Sequence, residues 1–118
     1  MNTLCKIREV CRSIARFEES FGEKFGITLN EGMMMCTLRD EHRLSPGDIS
    51  ERMGLSMSQV SKIVDQLMEK GHISGSLGEN DRSMRCYSLT DSGVELLESI
   101  NCSKHDMPRI PRNAVETD

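Results

Sequence analysis

Aromatic side chains are nearly missing from this 118-residue chain, which has no Trp, one Tyr and three Phe. The three are Phe17, Phe21 and Phe25, all near the start, and the single Tyr is Tyr87. Long apolar runs are missing too. No stretch of 18 or more apolar residues occurs, so no membrane-spanning helix is expected. The opening MNTLCKIREVCRS lacks the compact apolar segment and small-residue cleavage site of a secretory signal. A cytoplasmic location follows as the expectation, with no membrane partner. The five cysteines (Cys5, Cys11, Cys36, Cys86, Cys102) are odd in number, irregularly spaced and include no C-x-x-C pair. Neither a structural zinc site nor a thioredoxin-like dithiol is supported. His42, His72 and His105 are scattered, each an ordinary surface or boundary residue rather than a metal ligand. No nucleophile–base set, paired-carboxylate constellation or phosphate-cradling glycine motif stands out. The expected protein is therefore not an enzyme, and it needs no metal and no cofactor.

A basic excess is also absent: the formal net charge is −4. Between Ser45 and Gly93 five basic residues face seven acidic ones. That balance matters because phosphate neutralisation drives most nucleic-acid binding. Where the charges point then counts for more than their sum.

What the chain does have is a punctuated pattern of short helices. Leu4, Ile7, Val10, Cys11, Ile14, Phe17, Phe21 and Phe25 recur at three- and four-residue steps, so helix 1 is expected from about Asn2 to Gly22 or Phe25. This stripe is broader than one small core needs. A partner subunit is its natural cover, with Leu4, Ile7, Cys11, Ile14, Phe17 and Phe21 as the dimerisation residues. Gly26 breaks the helix. Thr28-x-x-Glu31 reads as a capping box, opening a second helix that Met33, Met34, Met35, Cys36 and Leu38 fill to near Glu41. The Met run reads as core filler that adapts to irregular gaps, not as a metal or redox site.

The segment from Ser45 to Gly93 is the most specific. Ser45-Pro46-Gly47-Asp48 supplies an N-cap, a Pro at the first helical position and an acid at the third. Ile49 and Met53 face inward, and small Ser50 and Gly54 allow a close turn. Ser56-x-x-Gln59 is a second capping signature. In the helix it opens, Met57, Val60, Ile63, Val64, Leu67 and Met68 form an apolar face, and Gly71 is expected as the left-handed cap. The opposite face holds no acid before Asp65. Its Ser58, Gln59, Ser61 and Lys62, with Ser56, suit phosphates and base edges. A hairpin follows, with Ile73 on one strand, alternation over Met84–Leu89 on the other, and Gly75, Gly78, Glu79, Asn80 and Asp81 as a turn-prone tip. Arg82 on that tip is placed for a narrow minor groove. Its plain alternative is a solvated arginine held by Asp81. Thr90 or Asp91 then caps a last helix containing Val94, Leu96, Leu97 and Ile100.

A helix-turn-helix with a hairpin directly behind it is a winged helix. The expected fold class is mainly α with a small β-hairpin wing, dimeric through terminal helices. The expected organisation is a dimerisation helix over 1–26, a winged helix-turn-helix DNA-binding domain over 27–93, a C-terminal helix contributing to the dimer over 94–106, and a loosely ordered tail over 107–118.

The chain resembles the MarR family of bacterial regulators. The residues that carry the resemblance are Leu55-Ser56, Ser58, Val60-Ser61-Lys62, Leu67-x-x-Lys70-Gly71, Asp81-Arg82 and Leu89-Thr90-x-x-Gly93. The resemblance implies a homodimeric transcription regulator, a repressor on double-stranded DNA. Its recognition helix would enter the major groove and its Arg82 the minor groove, with Asp81 stabilising the wing. It implies a pseudo-palindromic operator and a small lipophilic or phenolic ligand beside the dimer helices. Three features depart from the family. Ser83 follows Arg82 where a second basic residue is frequent, or Asn80-Asp81-Arg82-Ser83 aligns as Asp-x-Arg-Ser; either register keeps Arg82. Gly75 stands where the first wing strand often ends in arginine. Pro108 and Pro111 interrupt the last helix.

Two other readings stand beside this one. The acidic balance suits a winged helix used for protein–protein contact with weak DNA binding. Cys5 and Cys11 lie where hydroperoxide sensors of the family carry a reactive thiol, which would make the chain a redox-sensing regulator. Ordinary thiols are the favoured reading. Arg8 and Arg12 are offset around the helix from Cys11, and the tyrosines that help activate those thiols have no counterpart here.

Overall fold

A computed structural model describes residues 2–77 and 85–102. Five helices and a two-stranded sheet follow in the order α1 (Thr3–Phe25), α2 (Leu29–Glu41), α3 (Pro46–Met53), α4 (Met57–Glu69), β1 (Ile73–Leu77), β2 (Arg85–Leu89) and α5 (Asp91–Cys102). This is the expected mainly helical class with a hairpin wing. The tail beyond 102 and the wing tip lie outside the described residues, and with them Asp81 and Arg82.

The chain forms two compact units, one containing α1 and the other running from α2 to α5. In the first, Asn2 caps α1 by accepting the Cys5 N–H at 2.9 Å. Gly26 ends it at φ 72°, and the Gly26 N–H donates to the Gly22 carbonyl. The phenylalanines form a ladder one turn apart: Phe17–Phe21 centroids are 5.7 Å apart and Phe21–Phe25 5.0 Å. Phe21 is buried.

In the second unit the core is aliphatic, as the shortage of aromatics requires. Met34, Met35, Leu38, Ile49, Val60, Val64, Leu67, Ile73 and Leu97 are all at most 3% exposed. Met33 is 46% exposed, so the Met run splits: two residues fill the core and the first faces out. His42, at φ 67°, turns the chain out of α2. β1 and β2 pair antiparallel in the register Ile73↔Leu89, Gly75↔Tyr87, Leu77↔Arg85. Gly75 therefore lies inside a strand, not in the tip where its turn propensity suggested. A Cβ there would stand 3.3 Å from the Tyr87 ring, so glycine lets that ring lie across the strand. Leu44 adds a single bridge to β2: its N–H and carbonyl exchange bonds with those of Tyr87 at 3.1 and 2.8 Å. α4 packs on α3 and β1, and α5 packs on β2.

Candidate nucleic-acid interface

The interface is built from two helix starts and one helix end. At the first start, the Ser45 hydroxyl accepts the Asp48 N–H at 3.2 Å and the Asp48 carboxylate accepts the Ser45 N–H at 3.4 Å. After the eight residues of α3, Gly54, at φ 67°, closes the helix. Ser50 fastens the turn: its hydroxyl donates to the Leu55 carbonyl at 2.6 Å, and its carbonyl accepts the Gly54 and Leu55 N–H groups. A serine here satisfies turn groups that a larger apolar residue would leave to solvent.

The second start repeats the box. The Ser56 hydroxyl accepts the Gln59 N–H at 3.1 Å, and the Gln59 Oε1 accepts the Ser56 N–H at 2.9 Å. α4 then shows its amphipathic pattern. Val60, Ile63, Val64 and Leu67 are buried. Ser56, the N-cap, and Ser58, Gln59, Ser61 and Lys62 on α4 are all exposed. Among the described residues no carboxylate lies within ion-pair distance of Lys62. Two stripe residues depart from the apolar pattern: Met57 is 53% exposed and Met68 38% exposed. Both sit on the flank of the helix, about 90° from the centre of the buried face at 100° per residue.

The helix end is equally fastened. Lys70 caps α4 in a right-handed conformation, and the left-handed residue is the next one, Gly71, at φ 79°. The Gly71 N–H donates to the Met68 carbonyl and the His72 N–H to the Leu67 carbonyl, both at 3.0 Å, which is the Schellman pattern. Thr90 then ties this end to α5. Its hydroxyl donates to the Gly71 carbonyl at 2.7 Å and accepts the Gly93 N–H at 3.1 Å. Its own N–H donates to the His72 carbonyl at 3.1 Å. Of the two candidates, Thr90 is thus the residue whose side chain caps α5. His72 Nδ1 lies 3.1 Å from the Ser92 hydroxyl. A Cβ on Gly93 would sit 2.2 Å from the His72 carbonyl oxygen, so only glycine fits. The Leu-Thr-x-x-Gly spacing thereby has a physical reason.

Two ion pairs frame the site. Glu31, assigned by sequence to a capping role, is fully buried, and Lys70 Nζ donates to both its carboxylate oxygens at 2.8 and 3.1 Å. Sequence reading missed this contact across 39 positions. Arg52 on α3 meets Glu41 at the end of α2 at 3.1 Å. That hydrogen bond, and then the carboxylate's charge, raise the Arg52 pKa above its ordinary value. In the wing, Arg43 Nη2 donates to the Leu77 carbonyl, anchoring β1 near the tip.

This geometry is shared with known proteins. Residues 27–82 match the sequence model of the MarR family. This is a MarR-family winged helix-turn-helix. The chain is 24% identical over 98 residues to the HTH-type transcriptional regulator PapX of Escherichia coli, covering 81% of this chain and 60% of PapX. It is 31% identical over 78 residues to the HTH-type transcriptional repressor MdtR of Bacillus subtilis, covering 66% of this chain and 50% of MdtR. The chain thus spans only 50–60% of these two relatives. Among solved structures, the MepR–DNA complex of S. aureus superposes with a TM-score of 0.77 at 21% identity, over 86% of this chain and 75% of MepR. That likeness establishes the fold.

Proposed function

We propose that this MarR-family chain is a sequence-specific DNA-binding transcriptional regulator, a repressor that grips a pseudo-palindromic operator as a homodimer. The observation that carries the reading is the first half of α4. Its polar residues are exposed, the helix is fixed by bonded caps at both ends, and it is free of acid up to Asp65. Ser56, Ser58, Ser61 and Lys62 supply hydroxyls and one cation to the major groove and its phosphates, and Gln59 supplies its amide nitrogen. Arg82 reaches the minor groove from the wing, which Asp81 stabilises. Leu4, Ile7, Cys11, Ile14 and Phe17 supply the dimer surface, whereas Phe21, expected there too, is 4% exposed and already covered within one chain. A small lipophilic or phenolic ligand releases the operator, as the family resemblance implies. The molecule acts in the cytoplasm, and its role is binding rather than catalysis.

The net charge of −4 favours one other reading, a winged helix that contacts protein and holds DNA weakly. Selection of bound duplexes from a random pool, followed by titration at two salt concentrations, separates the two. The regulator enriches a two-fold symmetric motif, and its log affinity falls linearly with log salt. A pool without enrichment, or affinity indifferent to sequence, sinks the proposal in favour of the protein-contact module.

A further inference from the structure

Met57 stands out on the groove-facing helix because it is apolar and open. Four of its five companions in the stripe, Val60, Ile63, Val64 and Leu67, are between 0% and 7% exposed, whereas Met57 is 53% exposed. It is the first residue of α4 and shares a flank with Ser61, one turn further on, while Ser58 is its direct neighbour. The other exposed methionine of this helix, Met68, lies beside Glu69 and one turn past Asp65, where the acids oppose close approach of phosphates.

The polar residues around Met57 are partly committed. A glutamine reads adenine with both ends of its amide, accepting from N6 and donating to N7. The Gln59 Oε1 already holds the Ser56 N–H at 2.9 Å, and the Ser56 hydroxyl holds the Gln59 N–H. Withdrawing the Gln59 oxygen would reopen an orphan helix donor. Gln59 therefore offers its NH2 group alone, whose donors N7 or O6 of guanine, N7 of adenine and O4 of thymine all accept, so it discriminates little. Serine hydroxyls donate or accept and are similarly tolerant. In this turn the group with chemistry of its own is the Met57 thioether chain. It is unbranched and adaptable. The major groove presents one apolar feature among its donors and acceptors, the C5-methyl of thymine.

We propose that Met57 is a specificity-determining residue that packs on a thymine methyl in each operator half-site. The assignment rests on the DNA-binding reading above. It differs from a merely structural role, in which Met57 is a loose margin of the core and touches no base.

The test uses the full chain and the duplex enriched from a random pool. Each thymine of a half-site is replaced in turn by deoxyuridine, which pairs identically but lacks the methyl. Loss of one buried methyl corresponds to about a three- to five-fold change in Kd. That loss is expected for the unsubstituted protein at one thymine per half-site. In Met57→Ala the same replacement should change Kd by less than about 1.5-fold, because the methyl has no partner left to lose. Met57→Gln, which keeps the chain length, should behave like Met57→Ala and serves if alanine lowers Tm. Equal deoxyuridine sensitivity in all three proteins, or no sensitive thymine in any, overturns the assignment while leaving the DNA-binding reading intact. If the unsubstituted protein enriches no duplex at low salt, the DNA-binding reading itself fails, and this assignment falls with it.

Discussion

Glu31 is the only buried charged residue in the described core, and its partner Lys70 comes from the far end of the recognition helix. Removing one member of such a pair costs more than the pair contributes, because the other charge stays buried without its counter-ion. Lys70→Met should therefore destabilise the fold by roughly 3 kcal/mol, the low end of the range for broken buried pairs. The low end applies because the Lys70 side chain is 38% exposed, so water already reaches the ammonium. Adding Glu31→Leu should restore most of the loss, and urea unfolding of both singles and the double closes the cycle. A double variant no more stable than Lys70→Met would show that the pair is not the cause. Gly93 makes a second residue-level case. With the added carbon 2.2 Å from the His72 carbonyl oxygen, Gly93→Ala must push the start of α5 off the recognition-helix end. About 1–3 kcal/mol of destabilisation is expected, read as a lower urea midpoint. An unchanged midpoint would mean that the Thr90 junction is soft.

At the scale of elements, α3 and α4 are defined by their ends. Ser45 with Asp48 and Ser56 with Gln59 were legible as caps because capping is local chemistry: short oxygens at fixed spacing meet orphan N–H groups. The end of α1 at Gly26 was legible for the same reason. Less was readable where tertiary partners decide. The periodicity placed Met57 and Met68 in the apolar stripe, but a 13-residue helix covered on one side leaves its flanks open, and spacing cannot locate that boundary. Gly75 has turn propensity, yet Tyr87 on the opposite strand decides its place. Leu44 pairs with Tyr87 over a single bridge, too short to leave any alternation. Gln59 belonged to two readings, cap and base reader, and its Oε1 is occupied by the first. Two predictions follow for α4. Gln59→Ala should lower stability by about 1 kcal/mol, as loss of a cap does, and the effect should largely vanish when Ser56 is already alanine. Thermal melting of the four proteins decides it, and additive losses would separate the two residues. Lys62→Ala should weaken all duplexes similarly and reduce the salt slope by about one, as one lost phosphate contact does. A loss confined to one sequence would make Lys62 a base reader instead.

For the whole molecule, one recognition helix is a weak instrument. On the proposed reading, a chain of net charge −4 gains little from general attraction to DNA, so its affinity would come from a few well-placed contacts used twice. Duplication requires a second copy, and on the proposed reading α1 is the element that would meet it. Leu4 is 76% exposed, Ile7 50%, and Cys11 is exposed as well. With Ile14, these residues follow the three-four spacing of a helix seam. An open apolar seam of that kind supports the proposed interface between copies. Sedimentation at micromolar concentration should show a dimer, and the selected operator should have two-fold symmetry with half-sites about one helical turn apart. Leu4→Asp combined with Ile7→Asp places like charges on facing seam positions and should yield monomer. Because both substitutions lie in α1, circular dichroism of the variant should keep its helical signal while operator affinity drops by at least about a hundredfold, the avidity lost when two half-sites are no longer linked. The same seam bears on Cys11. If the exposed thiol were the regulatory group, stoichiometric organic hydroperoxide would release the operator and Cys11→Ser would abolish the release. Retained binding after thiol oxidation is the expected result. A monomeric native protein that still binds its operator tightly would remove α1 from the interface and require the second copy to be recruited by DNA alone.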